Sequence, residues 1–231
     1  MTEKYEVKPE EAEILEELEK LIGKTIPQVE EIKWNTFGVK VDDEYVVGLG
    51  LYLCNLTTLP ESIGNLKSLQ TLHLYENHLT TLPESIGNPS SLKDLRLYHN
   101  KLSTLPESIC NLKSLEKLYL ARNQLMNLPE SIGNLKSLEI LNSRNNHLTT
   151  LPGAIGNLSS LKILRVDSNE LSTLPESISN LSSLQKLYLY ENNLTTLPES
   201  IGNLKSLQTL KLWDNKLTTL PESISNLSSL K

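Results

Sequence analysis

The fold is decided by a stretch that runs from Leu69 to Ser91 and reads LQTLHLYENHLTTLPESIGNPSS. The same pattern recurs along the chain at a constant interval of 23 residues. A fixed period of this length indicates a solenoid, in which each unit buries its apolar face against its neighbours. Eight units begin at Val46, Leu69, Leu92, Leu115, Leu138, Leu161, Leu184 and Leu207, and a ninth opens at Leu230.

Each part of the unit has a separate physical role. The opening LxxLxL alternates with a period of two, which predicts a short strand whose leucines, such as Leu72 and Leu74, point into the core. The ninth position is asparagine, whose carboxamide can both donate to and accept from backbone groups that a turn leaves unpaired. The LPESI segment favours a short helical or 3-10 turn, because proline suits its first residues. The asparagines are Asn77, Asn100, Asn123, Asn146, Asn169, Asn192 and Asn215, and Cys54 takes their place in the first unit.

The unit LxxLxLxxN followed by LPxxI resembles the 23-residue leucine-rich repeats of plant intracellular Ras-group-related proteins, Ras suppressor proteins and many bacterial and archaeal proteins. The resemblance covers residues 46–231. It implies an α/β fold, a right-handed solenoid or horseshoe with a parallel concave β-sheet and short helical or 3-10 turns on its convex side. It also implies a non-catalytic scaffold or adaptor that binds a protein partner, with a small GTPase or another signalling protein as a candidate.

Residues 1–45 lie outside the repeats and are expected to cap them. Pro9 to Ile22 reads as an amphipathic helix, and short strands are predicted at about 31–34 and 37–41, which together make a helix-plus-hairpin cap. The segment holds 13 acidic and 6 basic residues, so an acidic docking surface for a basic partner is the alternative. The apolar stripe of the helix comprises Ile14, Leu15, Leu18, Leu21 and Ile22.

Charge, apolar content and the cysteines limit which partners, locations and chemistry we expect for this chain. Residues 46–231 hold 15 acidic and 16 basic residues with no basic stripe, which argues against nucleic-acid binding. We find no secretory signal and no apolar run that could span a bilayer, so we expect no membrane association and a cytoplasmic location. Cys54 and Cys110 occupy different columns more than two repeats apart, which predicts free thiols. No catalytic motif, metal site or cofactor site is predicted.

The candidate binding surface comprises side chains at the fifth and seventh positions, which flank the inward leucines and should line the concave sheet. Seven of these sixteen residues are aromatic, whereas the second and tenth positions include no aromatic residue. Tyrosine, tryptophan and arginine dominate binding hot spots, because they combine large contact area with polar groups. The predicted partner-binding residues, including one from the eighth position, are Tyr52, Tyr75, Arg96, Tyr98, Tyr119, Arg122, Asn142, Arg144, Arg165, Tyr188, Tyr190, Lys211 and Trp213.

Several alternatives stay open at this point. Tyrosines on adjacent strands could serve only to stabilise the sheet by stacking on one another. The chain stops just after a ninth unit opens, so it could be the targeting module of a larger enzyme truncated at the C-terminus. The aromatic clusters could also bind a glycan or cell-envelope ligand. His73, Glu76 and His99 could approach one another as a metal site, although a role as polar contact residues is favoured.

Overall fold

The computed structural model describes residues 5–231, so the first four residues of the expected cap lie outside the described part. Within it, one α-helix precedes nine β-strands that form a single sheet in chain order. The helix is α1 (Pro9–Ile22). The strands are β1 (Phe37–Asp42), β2 (Tyr45–Leu51), β3 (Thr71–His73), β4 (Asp94–Arg96), β5 (Lys117–Tyr119), β6 (Ile140–Asn142), β7 (Ile163–Arg165), β8 (Lys186–Tyr188) and β9 (Thr209–Lys211).

Strands β2 to β9 are parallel, and each residue pairs with the residue 23 positions later, as Leu72 does with Leu95. Every column of the repeat therefore becomes a ladder across the sheet. The leucines of β2 to β8 are fully buried, as are Leu72 and Leu74 of the second repeat, which confirms that the period-two pattern marks the core, whereas Leu210 of the terminal strand β9 is partly buried. The sheet and its repeating turns confirm the predicted solenoid.

The turn after each strand depends on the eighth and ninth residues of the repeat. The eighth residue is left-handed throughout, with φ 54° at Arg122, and this conformation directs the following asparagine inward. The side chain of Asn123 donates from Nδ2 to the carbonyl oxygens of Leu97 and Leu120, both at 2.9 Å. Its Oδ1 accepts from the backbone N–H of Leu102 at 3.0 Å. The predicted double role of the asparagine column is confirmed.

A 3-10 helix follows the proline of each LPESI-type segment, as the position of that proline predicted. These helices lie opposite the sheet and pack against their counterparts in neighbouring repeats. Their bounds are Glu61–Asn65, Glu84–Gly87, Glu107–Asn111, Glu130–Asn134, Gly153–Asn157, Glu176–Asn180, Glu199–Asn203 and Glu222–Asn226.

The helix α1 packs on the first repeat differently from the predicted stripe. Leu15 and Leu18 are fully buried, but Leu21 is exposed. Glu11 is buried instead, because its Oε2 accepts a hydrogen bond from the backbone N–H of Val46 at 2.6 Å. The first residue of the repeats is therefore fastened to the cap by a buried carboxylate of α1.

The strand predicted at about 31–34 does not form, and that prediction is wrong. The carbonyl oxygen of Lys33 lies 3.0 Å from Nδ1 of His73, and the Trp34 ring packs edge-on against Tyr52 with 6.1 Å between centroids. The hairpin consists of β1 and β2, which are antiparallel, so its second strand belongs to the first repeat. Strand β1 thus covers the edge that β2 would otherwise expose. Among residues 5–231, no helix combines the length and apolar character needed to cross a membrane.

Candidate partner-binding surface

The solvent side of the parallel strands carries the third, fifth and seventh residues of each repeat, because side chains alternate across a strand. We call this surface the concave face. The register places Arg96 beside Tyr119 on neighbouring strands, and it places Arg165 beside Tyr188 in the same way. The surface is therefore built from contacts between repeats.

The first group on this face, the N-terminal cluster, consists of Tyr75, Asp94, Arg96, Tyr98 and Tyr119. Arg96 donates to both carboxylate oxygens of Asp94, at 2.8 and 2.7 Å. Its Nη1 also donates to the Tyr75 hydroxyl at 3.1 Å, and its guanidinium lies over the Tyr119 ring at 4.9 Å. The Tyr75 and Tyr98 rings are in contact, with centroids 5.8 Å apart. One arginine therefore organises this cluster.

The ionisation of the N-terminal cluster reflects these contacts. Burial by itself would raise the pKa of Asp94, but the adjacent His73 and the bidentate Arg96 outweigh it and lower the pKa to about 2. Burial would likewise lower the pKa of Arg96, but hydrogen bonds with Asp94 and Tyr75 outweigh it and raise that pKa. Both members of the ion pair consequently stay charged at neutral pH.

The second group, the C-terminal cluster, is centred on Asp167, whose side chain is fully buried. Arg165 donates to its two oxygens at 3.1 and 3.2 Å, and Nε of Arg144 lies 2.9 Å from Oδ2. Nη2 of Arg165 also donates to the Tyr190 hydroxyl at 3.1 Å, and its guanidinium lies over the Tyr188 ring at 4.7 Å. One carboxylate therefore holds two arginines, each of which approaches a tyrosine ring.

Trp213 completes the C-terminal cluster. Its ring stacks on Tyr190 with centroids 4.2 Å apart and an angle of 11° between the planes. The tryptophan remains 55% exposed, so the outer face of the stack is open to a ligand. Lys211, beside Tyr188 on the next strand, is also exposed.

The surface between the two clusters is polar. It carries three cationic side chains, and we call this set the central band: Lys117, Arg122 and Arg144. Arg122 is exposed, and its guanidinium lies 5.7 Å from the Tyr98 ring. Asn142 uses Oδ1 to accept the backbone N–H of Arg144 at 3.2 Å. Apart from Tyr52, the predicted residues are therefore brought together in three neighbouring zones of one face.

The repeat period and the sheet agree with comparisons to known families. The family model described as "Leucine-rich repeat region" matches residues 48–125 and 118–193, and the model described as "Leucine rich repeat" matches residues 182–231. This chain is a leucine-rich repeat protein. The narrower resemblance to Ras-group repeats stays a prediction. Among curated proteins, none matches this chain.

Solved structures place the chain among long leucine-rich repeat proteins. It is 41% identical to an LRR protein of Leptospira interrogans, with a TM-score of 0.77, over 79% of this chain and 46% of that one. It is 36% identical to a chain of the PEPR1–AtPEP1 complex, with a TM-score of 0.74, over 85% and 32%. For the plant peptide hormone receptor RGFR1 in complex with RGF2, the identity is 34% and the TM-score 0.66, over 80% and 35%. The chain thus spans less than half the length of each.

Two features of this leucine-rich repeat surface differ from the sequence prediction. His73, placed on the open face by its column, is only 2% exposed, because the segment before β1 covers it through Lys33. Tyr52 was predicted to lie on the open concave sheet with Tyr75 and Tyr98, but it packs against Trp34, which is itself exposed. The cap therefore supplies an aromatic residue, Trp34, to this surface. Sequence reasoning had assigned Trp34 to a strand of the cap.

Asp167 is a residue of this candidate surface that sequence reasoning missed, although a signal for it exists. Arg144 precedes it by one period of 23 residues, so the two share the seventh column and must be neighbours in a parallel sheet. Arg165 lies two residues before Asp167, on the same side of the strand. Reading charges along columns would therefore have indicated this ion-pair network.

The histidines do not form the metal site considered as an alternative. Nδ1 of His99 lies 2.6 Å from Glu76, but Nε2 of His73 faces Asp94 at 3.8 Å. Across residues 5–231, no three His, Cys, Asp or Glu side chains are grouped to hold a metal ion. His99 and Glu76 therefore contact each other at the surface, whereas His73 is buried beneath the segment before β1.

The two thiols of this protein are poorly suited to act as nucleophiles. Cys54 and Cys110 are free, as their column positions predicted, and both are buried. Burial raises the pKa of Cys54 to about 11 and also raises the pKa of Cys110. Because the thiolate is the nucleophilic form, neither side chain is activated near neutral pH.

Proposed function

We propose that this leucine-rich repeat protein is a non-catalytic scaffold whose concave face binds a protein partner. The single observation that carries the proposal is that Arg96 and Arg165 are each fixed by an aspartate and a tyrosine hydroxyl while they approach a further tyrosine ring. Side chains that are ordered before binding lose less conformational entropy when a partner arrives. Such a surface is prepared for recognition.

The relatives support a polypeptide as the ligand class. RGFR1 is a peptide hormone receptor in complex with RGF2, and PEPR1 is in complex with AtPEP1. These complexes favour a polypeptide over a glycan for the aromatic clusters of this chain. A scaffolding role in signalling, a cytoplasmic location and a small GTPase partner are further parts of the proposal, and the free, buried thiols are compatible with a reducing compartment.

The test is affinity capture from a lysate of the native source with matched variants. The concave variant is Tyr98→Ala with Trp213→Ala, because Ala121 occupies the same column and shows that the fold accepts alanine there. The control is Lys113→Ser with Lys136→Ser, which follow the 3-10 helices in a column that also contains Ser90 and Ser159. A protein that wild type and control retain and the concave variant loses supports the proposal. Equal retention by all three contradicts it.

A further inference from the structure

The middle of the concave face is positively charged, although the whole chain has a net charge of −6. The third, fifth, seventh and eighth positions of the four middle repeats carry five cationic residues and two carboxylates. The carboxylates are Asp94 and Asp167, and the cations are Arg96, Lys117, Arg122, Arg144 and Arg165. The summed charge of all repeats conceals this concentration of positive charge, because acidic residues lie at other positions of each repeat.

Both carboxylates are already engaged, by Arg96 in one cluster and by Arg144 and Arg165 in the other. The central band is consequently left with unneutralised charge. Within the described chain, no carboxylate lies within ion-pair distance of Lys117 or Arg122. Arg144 meets Asp167 through Nε, and its side chain is 42% exposed. Three cationic groups therefore face solvent together and can accept a partner's carboxylates.

The aromatic rings on either side set the length of ligand that fits. Tyr98 follows β4 and Tyr190 follows β8, so they are four strand spacings apart, about 19 Å at ~4.8 Å each. An extended peptide rises about 3.3 Å per residue, so about six residues bridge the two rings. The central band lies between them, in the repeats of β5 and β6.

We propose, as a refinement that rests on the proposed function, that the partner presents an extended acidic segment. Its Asp or Glu residues pair with Lys117, Arg122 and Arg144. Aromatic or apolar residues about six positions apart pack on Tyr98 at one end and on the Tyr190–Trp213 stack at the other. Burying the charged segment between two aromatic contacts strengthens its ion pairs, because neighbouring protein screens them from water.

The flanking charges favour this occupant over single-stranded nucleic acid, which also uses cationic grooves with aromatic rings. The eighth position is acidic near both ends of the face, at Glu76, Glu191 and Asp214. A phosphate backbone is negative along its whole length, so it meets repulsion near Glu76 and gains no net attraction near Glu191 and Asp214, where Lys186 and Lys211 balance the charge. A peptide can confine its acidic residues to the central band.

The experiment is selection of a phage-displayed library of random peptides, about twelve residues long, on the full chain. The central variant is Lys117→Thr with Arg122→Asn, because Thr71 and Asn145 occupy the same columns in other repeats. The control is again Lys113→Ser with Lys136→Ser, which removes the same amount of charge after the 3-10 helices of the third and fourth repeats. Selected peptides are then synthesised, and their affinities are measured by fluorescence anisotropy at low and high salt.

We expect selected peptides to carry Asp or Glu between two aromatic or apolar residues. Their affinity should fall about fivefold or more in the central variant, stay unchanged in the control, and weaken as salt increases. Two outcomes overturn this inference and leave the proposed function standing. In both, the selected peptides lose affinity for the Tyr98→Ala, Trp213→Ala variant. They are then either not acidic or bind the central variant as well as the wild type. If no peptide loses affinity for the Tyr98→Ala, Trp213→Ala variant or for the central variant, both the inference and the proposed function are contradicted. Displacement of the peptides by oligothymidylate that itself needs Lys117 and Arg122 assigns the face to nucleic acid and also overturns the inference.

Discussion

The guanidinium carbon of Arg165 lies 4.7 Å from the ring centroid of Tyr188, its register partner on the next strand. Arg96 and Tyr119 repeat this relationship at 4.9 Å, three repeats earlier in the chain. Each arginine is also held by an aspartate two residues away and by a tyrosine hydroxyl from an adjacent repeat. The same arrangement therefore organises both clusters of the concave face.

Asp167→Asn should destabilise the protein by about 3 kcal/mol or more, because it removes the negative partner of two guanidinium groups from a fully buried site. Urea unfolding followed by circular dichroism measures the loss. The matched control is Asp214→Asn, since Asp214 is exposed and has the left-handed conformation that asparagine accepts well. Equal unfolding midpoints for the two variants would show that Asp167 does not hold the cluster together.

Asn123→Ala should cost about 3 kcal/mol or more, because it leaves the carbonyls of Leu97 and Leu120 and the N–H of Leu102 without their partner. The comparison is Asn134→Ala, an exposed asparagine at the end of a 3-10 helix, whose loss should change the free energy of unfolding by less than about 0.5 kcal/mol. Thermal and urea unfolding of both variants provide the test. Similar losses at the two positions would contradict the structural role of the inward asparagines.

The features that recur in every repeat were predictable, because each column samples the same environment many times. The strand, the buried leucines and the asparagine turn follow from alternation and from the hydrogen-bonding capacity of a carboxamide. Single-copy features were harder to predict. The alternation of Ile32 and Trp34 suggested a strand, but contacts of Lys33 and Trp34 with later residues decide that segment. Sequence periodicity carries no information about such contacts.

The surface columns were likewise predictable, but the state of individual side chains on them was not. A tyrosine at the seventh position lies on the concave face in any repeat. Whether a charged or polar group there is open or buried depends on its neighbours, as the buried His73 and Asp167 show. Asp94 and Asp167 adjoin Lys117 and Arg144 in their columns, but Arg96 and Arg165 engage both oxygens of these carboxylates, so the central cations keep an excess of positive charge.

Asp94 should make the protein lose stability in acid. Its folded-state pKa of about 2 lies below its ordinary value of 3.8, because His73 and Arg96 outweigh the opposing effect of burial. The charged carboxylate therefore stabilises the fold above about pH 4, and this contribution of about 2 kcal/mol disappears as the pH falls to about 2. The Asp94→Asn variant lacks it, so the difference in free energy of unfolding between the two proteins should shrink across that range. Urea titrations at several pH values measure this difference, and a constant difference would contradict the lowered pKa.

The two thiols should react with a disulfide reagent such as DTNB only after unfolding. Cys54 and Cys110 are buried, and burial raises the pKa of each. Both the accessibility and the thiolate fraction are therefore small in the native protein. Labelling followed by mass spectrometry in native buffer and in guanidinium chloride checks this expectation. Rapid modification of either cysteine in native buffer would show that the packing around it is open.

The central claim is that the partner binds the concave face, and the fluorescence of Trp213 tests it most directly. The chain has two tryptophans, so a Trp34→Phe variant leaves Trp213, which is 55% exposed and stacked on Tyr190, as the remaining source of tryptophan emission. Saturation with the captured partner, or with a selected peptide free of tryptophan, should shift that emission to shorter wavelength and reduce its quenching by acrylamide. Emission and quenching that stay unchanged at saturation would contradict the claim.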